Sequence, residues 1–269
     1  MKAATGIGIA VAAVGILLAA MMDGTSPASF INISALILII AGTGGVTMAS
    51  VGMDGVKKIP SGYKLVIGAE PPDIQGRVNL LVSLAEQARR EGLLALDAQI
   101  AEIDDAFTKK GLQLVVDGTD PELVRDILEA EIDGMAARHH AGALPFEKAG
   151  GFAPTIGIIG TVMGLVHVLQ NLSAPATLGP SISSAFIATL FGVASANVIY
   201  LPVANRLKAL SAEEVELRTL TLEGILSVQA GDNPRVVADK LTSFVSPAER
   251  NTGDADNVTE MPQREAEAA

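Results

Sequence analysis

The chain of 269 residues is long enough for one or two soluble domains, but 49% of it is apolar, only 3% is aromatic and its mean hydropathy is +0.41. With no cysteine it can build neither a disulfide framework nor a thiolate nucleophile or metal site. A net charge of −11 without a basic patch argues against nucleic acid as a partner.

Four apolar stretches, roughly 3–22, 31–53, 150–172 and 181–205, are free of Asp, Glu, Lys and Arg. Each matches the ~20 residues a helix needs to cross a bilayer. The chain therefore reads as an all-α, polytopic membrane protein with four transmembrane helices and a helical cytoplasmic domain. Lys2 before the first stretch resembles the opening of a signal peptide, but the apolar run is longer than a usual signal core and Ala-Ala-Met-Met-Asp-Gly is a poor cleavage site. The first stretch is thus expected to remain as a span. The spans pair into a hairpin at 1–53 and a second at 150–205, joined by a cytoplasmic helical loop at 54–149.

The short connections Asp23–Phe30 and Ser173–Pro180 contain no Lys or Arg. Lys2, Lys57, Lys58, Lys148, Arg206 and Lys208 flank the opposite ends. Basic residues near span ends stay in the cytoplasm, so both termini and the long loop are expected there. Glycines 6, 8 and 15 in the first span, and 42, 44 and 45 in the second, offer shallow surfaces for helix packing.

In the long loop, the spacing of Val78, Leu81, Val82, Ala85, Leu93, Leu96 and Ile100 predicts one amphipathic helical stretch over Arg77–Ala106, with Asp73 as N-cap and Gly111 as a stop. Asp120-Pro121-Glu122 opens a second helix with Leu123, Ile127, Leu128 and Ile132 on its apolar face. Beyond the fourth span, Arg206–Val228 reads as a helix, Gly231-Asp232-Asn233-Pro234 as its break and Arg235–Val245 as a last short helix. These form cytoplasmic helices at 206–245. The acidic segment 246–269, poor in bulky apolar residues, is expected to be disordered.

Enzyme signatures are absent. Gly157, Gly160 and Gly164 lie inside a span rather than between a strand and a helix, so they form no phosphate loop. His139 and His140 have no neighbours at metal-ligand spacing. His167, near the outer end of the third span, either reaches the headgroup region or serves a functional site. Thr155, Thr161, Ser183, Ser184, Thr189, Ser195 and Asn197 fit interhelical hydrogen bonding and the lining of a wet path equally well. Pro154 reads as a first-turn proline or half of a hinge, and Pro202 as a kink where the fourth span continues into the cytoplasm.

Five segments in order resemble the MotA/PomA family of flagellar stator subunits, within the MotA/TolQ/ExbB superfamily. They are ARREGLLALD (88–97), LVVDGTDPELVRDIL (114–128), GGFAPTIGIIGTVMGLVHVL (150–169), ATLFG with SANVIYLPVANRL (188–192 and 195–207), and GDNPRVVADKL (231–241). The resemblance implies a ring-forming subunit, five copies around two single-span MotB/PomB-type partners, in the bacterial inner membrane. The partner supplies the membrane Asp that binds the ion, and a FliG-type rotor protein receives the torque. It implies no cofactor and no enzymatic reaction.

By the same resemblance, the family's two hinge prolines fall on Pro154 and Pro202, and its rotor-facing pair on Arg89 and Asp97, where the acid is more usually Glu. Thr161 and Thr189 match threonines tied to ion selectivity in sodium-driven relatives. Ala188 stands where those relatives often have Thr, which favours H+ over Na+ as the transported cation. An ExbB/TolQ-like motor usually has three spans. A secondary transporter usually carries polar or charged groups at mid-membrane in its own helices.

Overall fold

The computed structural model describes residues 4–173 and 175–245, so the expectation of a disordered tail at 246–269 lies outside the described residues. Among the described residues every regular element is helical. The chain divides into two compact units, Met1–Pro71 with Met135–Ala212, and Pro72–Gly134 with Glu213–Ala269. Four helices, or stretches of helix, are long and apolar enough to cross a membrane.

The first unit begins with α1 (Ala4–Met22), which buries none of its residues within this chain. A short 3-10 turn over Pro27–Phe30 leads to Asn32, whose side chain accepts from the Ala35 amide at 3.0 Å and caps α2 (Ile33–Val56). Along α2 the buried residues Ala35, Ile39, Thr43 and Thr47 recur every fourth position, the spacing of one helix face. Gly52 then takes φ 72° and ψ 173°, a backbone state open to glycine, and the helix breaks there. After it, α3 (Ile59–Gly68) starts with proline in its first turn. A Cβ at Gly62 of α3 would lie 2.6 Å from the Phe146 ring, and Tyr63 meets that ring edge-on at 5.1 Å.

Phe146 belongs to α7 (Pro121–Gln170), a single helix of 50 residues that runs through Pro145 and Pro154. Pro154 is therefore an interior proline, not the first-turn proline that the sequence allowed. It lacks the amide that would bond one turn back. The next helix, α8 (Pro175–Ala194), passes through a π-helical segment at Ser195–Tyr200 into α9 (Leu201–Ala230).

The second unit has its own core. Its α4 (Ile74–Glu91) is capped by Asp73, whose carboxylate accepts from the Gly76 amide at 2.8 Å. The single helical stretch expected over Arg77–Ala106 does not form. Gly92 at φ 87° ends α4, a 3-10 turn covers Leu93–Leu96, and α5 spans Asp97–Glu102. Asp105 then caps α6 (Ala106–Val116).

Gly111, expected to stop that helix, lies buried inside it: a Cβ there would stand 2.5 Å from Ile225 and 3.0 Å from Leu128. The turn at Gly118 (φ 76°) precedes α7, where the Asp120 carboxylate accepts from the Glu122 amide at 2.9 Å. Of the apolar face expected for this helix, Leu128 and Ile132 are buried and Ile127 half-buried, but Leu123 is exposed and Val124 is buried in its place. Gly231 (φ 70°) ends α9, and Asn233 caps α10 (Pro234–Thr242).

Leu81, Leu84, Leu96, Ile100, Phe107, Leu112, Leu128, Leu220, Leu222, Ile225 and Leu241 are fully buried in this core. Burial of each such side chain contributes about 1.5–3 kcal/mol. Charge pairs brace the edges. Glu223 on α9 accepts from Lys240 of α10 at 2.6 Å and from Arg125 of α7 at 2.9 Å. The Arg218 guanidinium lies 5.1 Å from the centre of the Phe107 ring.

Candidate functional site

In the first unit, α7 and α8 approach through glycine and alanine. A Cβ at Gly192 would stand 2.5 Å from the Ala153 carbonyl oxygen, and one at Gly157 would stand 3.0 Å from that of Ala188. Farther along the same helix pair, Gly164 faces Ala185, and Gly160 faces Ala188 and Leu38 of α2. Small residues let the backbones close on one another where lipid supplies no hydrophobic drive between helices. The three glycines of the third span thus make a packing surface.

That close approach brings Thr161 and Thr189 together. Their hydroxyls hydrogen-bond to one another, Thr161 also reaches the carbonyl oxygens of Gly157 (3.2 Å) and Ala185 (3.1 Å), and Thr189 reaches that of Gly157 (3.3 Å). Each hydroxyl has a single proton to give. Four oxygens share two protons where the small residues of α7 and α8 meet, leaving lone pairs that can receive water or a dehydrated cation. Ala188, next to Thr189, is buried, and its methyl packs at Gly160.

On the side of the connections at 23–32 and 171–173, a cavity of about 410 Å³ opens between α2, α7 and α8. Gly160 and Ala188 border it at one end, and Ser34, Ser181, Ser184 and His167 supply its polar atoms. Asn32 fixes part of its wall by donating to the Ser184 hydroxyl at 2.8 Å while its oxygen caps α2. Of the other polar residues singled out in the apolar stretches, Thr155 bonds locally to the Phe152 carbonyl, Ser195 to that of Gly192 and Asn197 to that of Val193.

Pro202 stands two residues past the π segment. A proline removes one backbone bond and presses on the carbonyl four residues earlier, and a widened π turn relieves that crowding. Pro154 lies on α7, between Ala153 and the Gly157 carbonyl that receives both threonines.

In the second unit, Arg89 is exposed in the last turn of α4, and Asp97 is exposed at the first position of α5. Gly92 and the 3-10 turn connect them. Arg90 pairs with Glu91 at 3.3 Å and Glu86 at 3.9 Å, whereas among the described residues neither Arg89 nor Asp97 forms an ion pair.

Two pairs in this unit hold carboxylates ionised. Burial pushes the Asp105 carboxyl up, but hydrogen bonds from the Thr108 hydroxyl and amide and the charge and hydrogen bond of Arg77 at 2.7 Å outweigh it. The net direction is below the ordinary range. Glu223 behaves likewise: burial raises it, and the hydrogen bonds and charges of Lys240 and Arg125 bring it below its usual value.

Several features had little sequence signal. The π segment follows from backbone geometry. The Asn32–Ser184 bond joins residues 152 positions apart. Thr43 and Thr47 have buried hydroxyls without a hydrogen-bond partner among the described residues, and only their four-residue spacing on an apolar helix marks them.

Residues 99–219 match the MotA/TolQ/ExbB proton channel family. Over 245 residues the chain is 39% identical to motility protein A of Bacillus subtilis (strain 168), covering 91% of both chains. The chain belongs to the MotA/PomA family. It is also 32% identical to the chemotaxis protein PomA of Vibrio alginolyticus over 234 residues, covering 86% of this chain and 90% of that one. Among solved structures, the flagellar MotAB stator complex from Bacillus subtilis matches with a TM-score of 0.86 and 38% identity, over 92% of this chain and 97% of the other. The C. jejuni MotAB structure matches with a TM-score of 0.86 at 28% identity over the same shares.

Proposed function

We infer that the chain is the ring-forming subunit of a flagellar stator, an ion-driven motor that turns cation flow across the inner membrane into torque on the rotor. The observation that carries this reading is the oxygen cluster of Thr161 and Thr189 inside two apolar stretches, 150–172 and 181–205, free of any ionisable carboxylate. An ion-driven machine needs a group that changes charge as the ion binds, and in a bilayer that group is costly and functional. With none in these spans, a partner must supply it. The MotAB likeness supports a MotB-type partner, and in this reading that partner is a single-span chain with a membrane Asp.

In this reading four helices cross the membrane with both termini and the second unit in the cytoplasm, and five copies surround two partner helices. The cation neutralises the partner's carboxylate, the preferred packing of ring against partner shifts, and release on the cytoplasmic side resets it. Pro154, and Pro202 beside the π segment, pass the change along α7 and α9. Arg89 and Asp97 present charge to a FliG-type rotor protein. The work is mechanical, with no enzymatic reaction. Ala188 removes one hydroxyl from the pathway and favours protons over sodium. An ExbB/TolQ-like role shares the broad family, but the four apolar spans and the MotAB likeness at nearly full length favour the stator.

The test is complementation of cells lacking their own stator subunit, with swimming measured with and without sodium and with a protonophore. Motility that survives sodium removal and collapses with the protonophore is expected. No motility, together with failure to co-purify a single-span partner, would sink the stator reading.

A further inference from the structure

We propose that α3 binds anionic phospholipids of the cytoplasmic leaflet, with Lys57, Lys58 and Lys64 on the headgroup phosphates and Ile67 among the acyl chains. For its orientation in the membrane, though not for the motor, this rests on the stator reading above.

Depth comes first. Tyr63 and Val66 of α3 share one apolar cluster with Ile9 of α1, Phe146 of α7 and Val203 of α9. Ile9 follows Ala4, the first residue of α1, by ~8 Å at 1.5 Å per residue. Val203 falls inside the fourth apolar stretch, 181–205. Both stand at span ends that Lys2, Arg206 and Lys208 assign to the cytoplasmic side. The helix α3 therefore lies level with the inner margin of the bilayer. Gly52 (φ 72°) turns the chain out of α2 just before Lys57.

Charge at that depth is of one sign. In a chain of net charge −11, the segment 57–68 carries three lysines and no Asp or Glu. Lys57 pairs with Asp54 at 3.3 Å through two well-exposed side chains. Lys58 and Lys64 are exposed and form no ion pair among the described residues. The negative surface potential of an anionic leaflet attracts basic residues held within a Debye length of it.

The faces of α3 divide accordingly. Gly62 and Val66 are buried, and Lys64, two residues from each, points away from them. Ile67 is 65% exposed and shares one side with Pro60 and Tyr63, at seven- and four-residue spacings. The other side mixes Leu65 with Ser61 and Lys58. The more apolar side suits acyl chains, while the lysine stems reach along it to bring their ammonium groups to phosphate. A Cβ at Gly62 would meet Phe146 at 2.6 Å and Leu207 at 3.5 Å, so α3 bears directly on α7 and α9. Headgroups held by α3 thus brace the two helices that carry Pro154 and Pro202.

Two measurements on the full chain purified with its single-span partner test this. In neutral detergent the complex is titrated with phosphatidylglycerol, or with phosphatidylcholine of the same acyl chains, and bound lipid is counted by native mass spectrometry. Phosphatidylglycerol is expected to bind more tightly. Lys58→Gln with Lys64→Gln should weaken it about 30-fold, at about fivefold per basic residue. Lys109→Gln with Arg235→Gln, an equal loss of charge on exposed positions of the second unit, should leave it unchanged. The chain has no native cysteine, so Ile67→Cys and Ser61→Cys, beside a cysteine-free partner, each give a single thiol for a fluorophore. In lipid nanodiscs, phosphatidylglycerol brominated on its acyl chains should quench the label at 67 more strongly than the label at 61. Equal binding of the two lipids, or equal loss in both double variants, would overturn the proposal. So would an unquenched label at 67, and a disulfide between copies through Ile67→Cys would give that side to a neighbouring subunit. Neither measurement reads motility, so these failures leave the stator reading standing. A chain that drives no motility and retains no single-span partner fails that reading instead.

Discussion

The hydroxyls of Thr161 and Thr189 meet across α7 and α8, and both reach the carbonyl oxygen of Gly157, at 3.2 and 3.3 Å. Three helical positions and two side chains therefore form one polar unit. Its geometry depends on Gly157 and Gly192 letting the helices close.

Replacing Thr189 with Val keeps the shape and removes one hydroxyl. Thr161 retains the Gly157 and Ala185 carbonyls as acceptors. A side-chain hydrogen bond within a membrane is worth only about 0.6 kcal/mol on average. Assembly with the partner should thus be nearly normal, whereas ion-driven torque should fall several-fold. Copurification yield and tethered-cell rotation separate the two effects. Equal loss of both would make the pair structural.

Gly192→Ala should fail for a different reason. The new methyl would stand 2.5 Å from the Ala153 carbonyl oxygen, a rigid backbone atom, so the helices must separate. Overpacking of this kind costs about 1–3 kcal/mol. Gly142→Ala on α7 meets no neighbour within 4 Å and should be neutral or stabilising, by up to ~1 kcal/mol. Thermal stability in detergent checks both; similar behaviour of the two variants would refute the close-packing assignment.

The same contrast shows what could be read from the chain. The four apolar runs were legible because a span needs a length and purity that few soluble helices have. Asp73 and Asp120 were legible as helix starts because capping is local chemistry. Gly111 was not. Its role is to admit Ile225, which lies 114 positions later, and a glycine that yields space looks in sequence like one that ends a helix. Gly92 was passed over for the opposite reason: the apolar spacing continued through it, yet its positive φ turned the chain. For the site, Thr161 and Thr189 could be named from family resemblance, but their mutual hydrogen bond depends on the helix crossing.

Glu223 gives the second unit an acid limb. Its folded carboxyl lies below the ordinary value of 4.5 because Lys240 and Arg125 favour the ionised form. Its stabilising contribution is therefore complete above that ordinary value and is lost as pH falls through the depressed one. Asp105, also depressed below its ordinary 3.8, adds to the loss in the same direction. Glu223→Gln should lower stability by about 1 kcal/mol near neutrality and flatten the acid limb. Melting curves from about pH 7 down to about pH 3 test this. An unchanged acid limb in the variant would show that other carboxylates govern it.

The last expectation concerns charge that is held outward. Arg90 is occupied by Glu86 and Glu91, whereas Arg89 and Asp97, on either side of the Gly92 turn, are exposed and form no ion pair among the described residues. Exposed charges of this kind contribute little to folding, so Arg89→Glu should leave stability within about 0.5 kcal/mol of the parent. Its effect belongs to association, where complementary charge sets encounter rate and register. Motility should drop sharply and return in part when an acidic residue on the rotor is reversed to a basic one. Raised ionic strength inside permeabilised cells should weaken the parent's coupling in the same sense, since exposed pairs are screened within ~8 Å at physiological salt. If no rotor reversal rescues the variant while its folding is intact, Arg89 does not face the rotor.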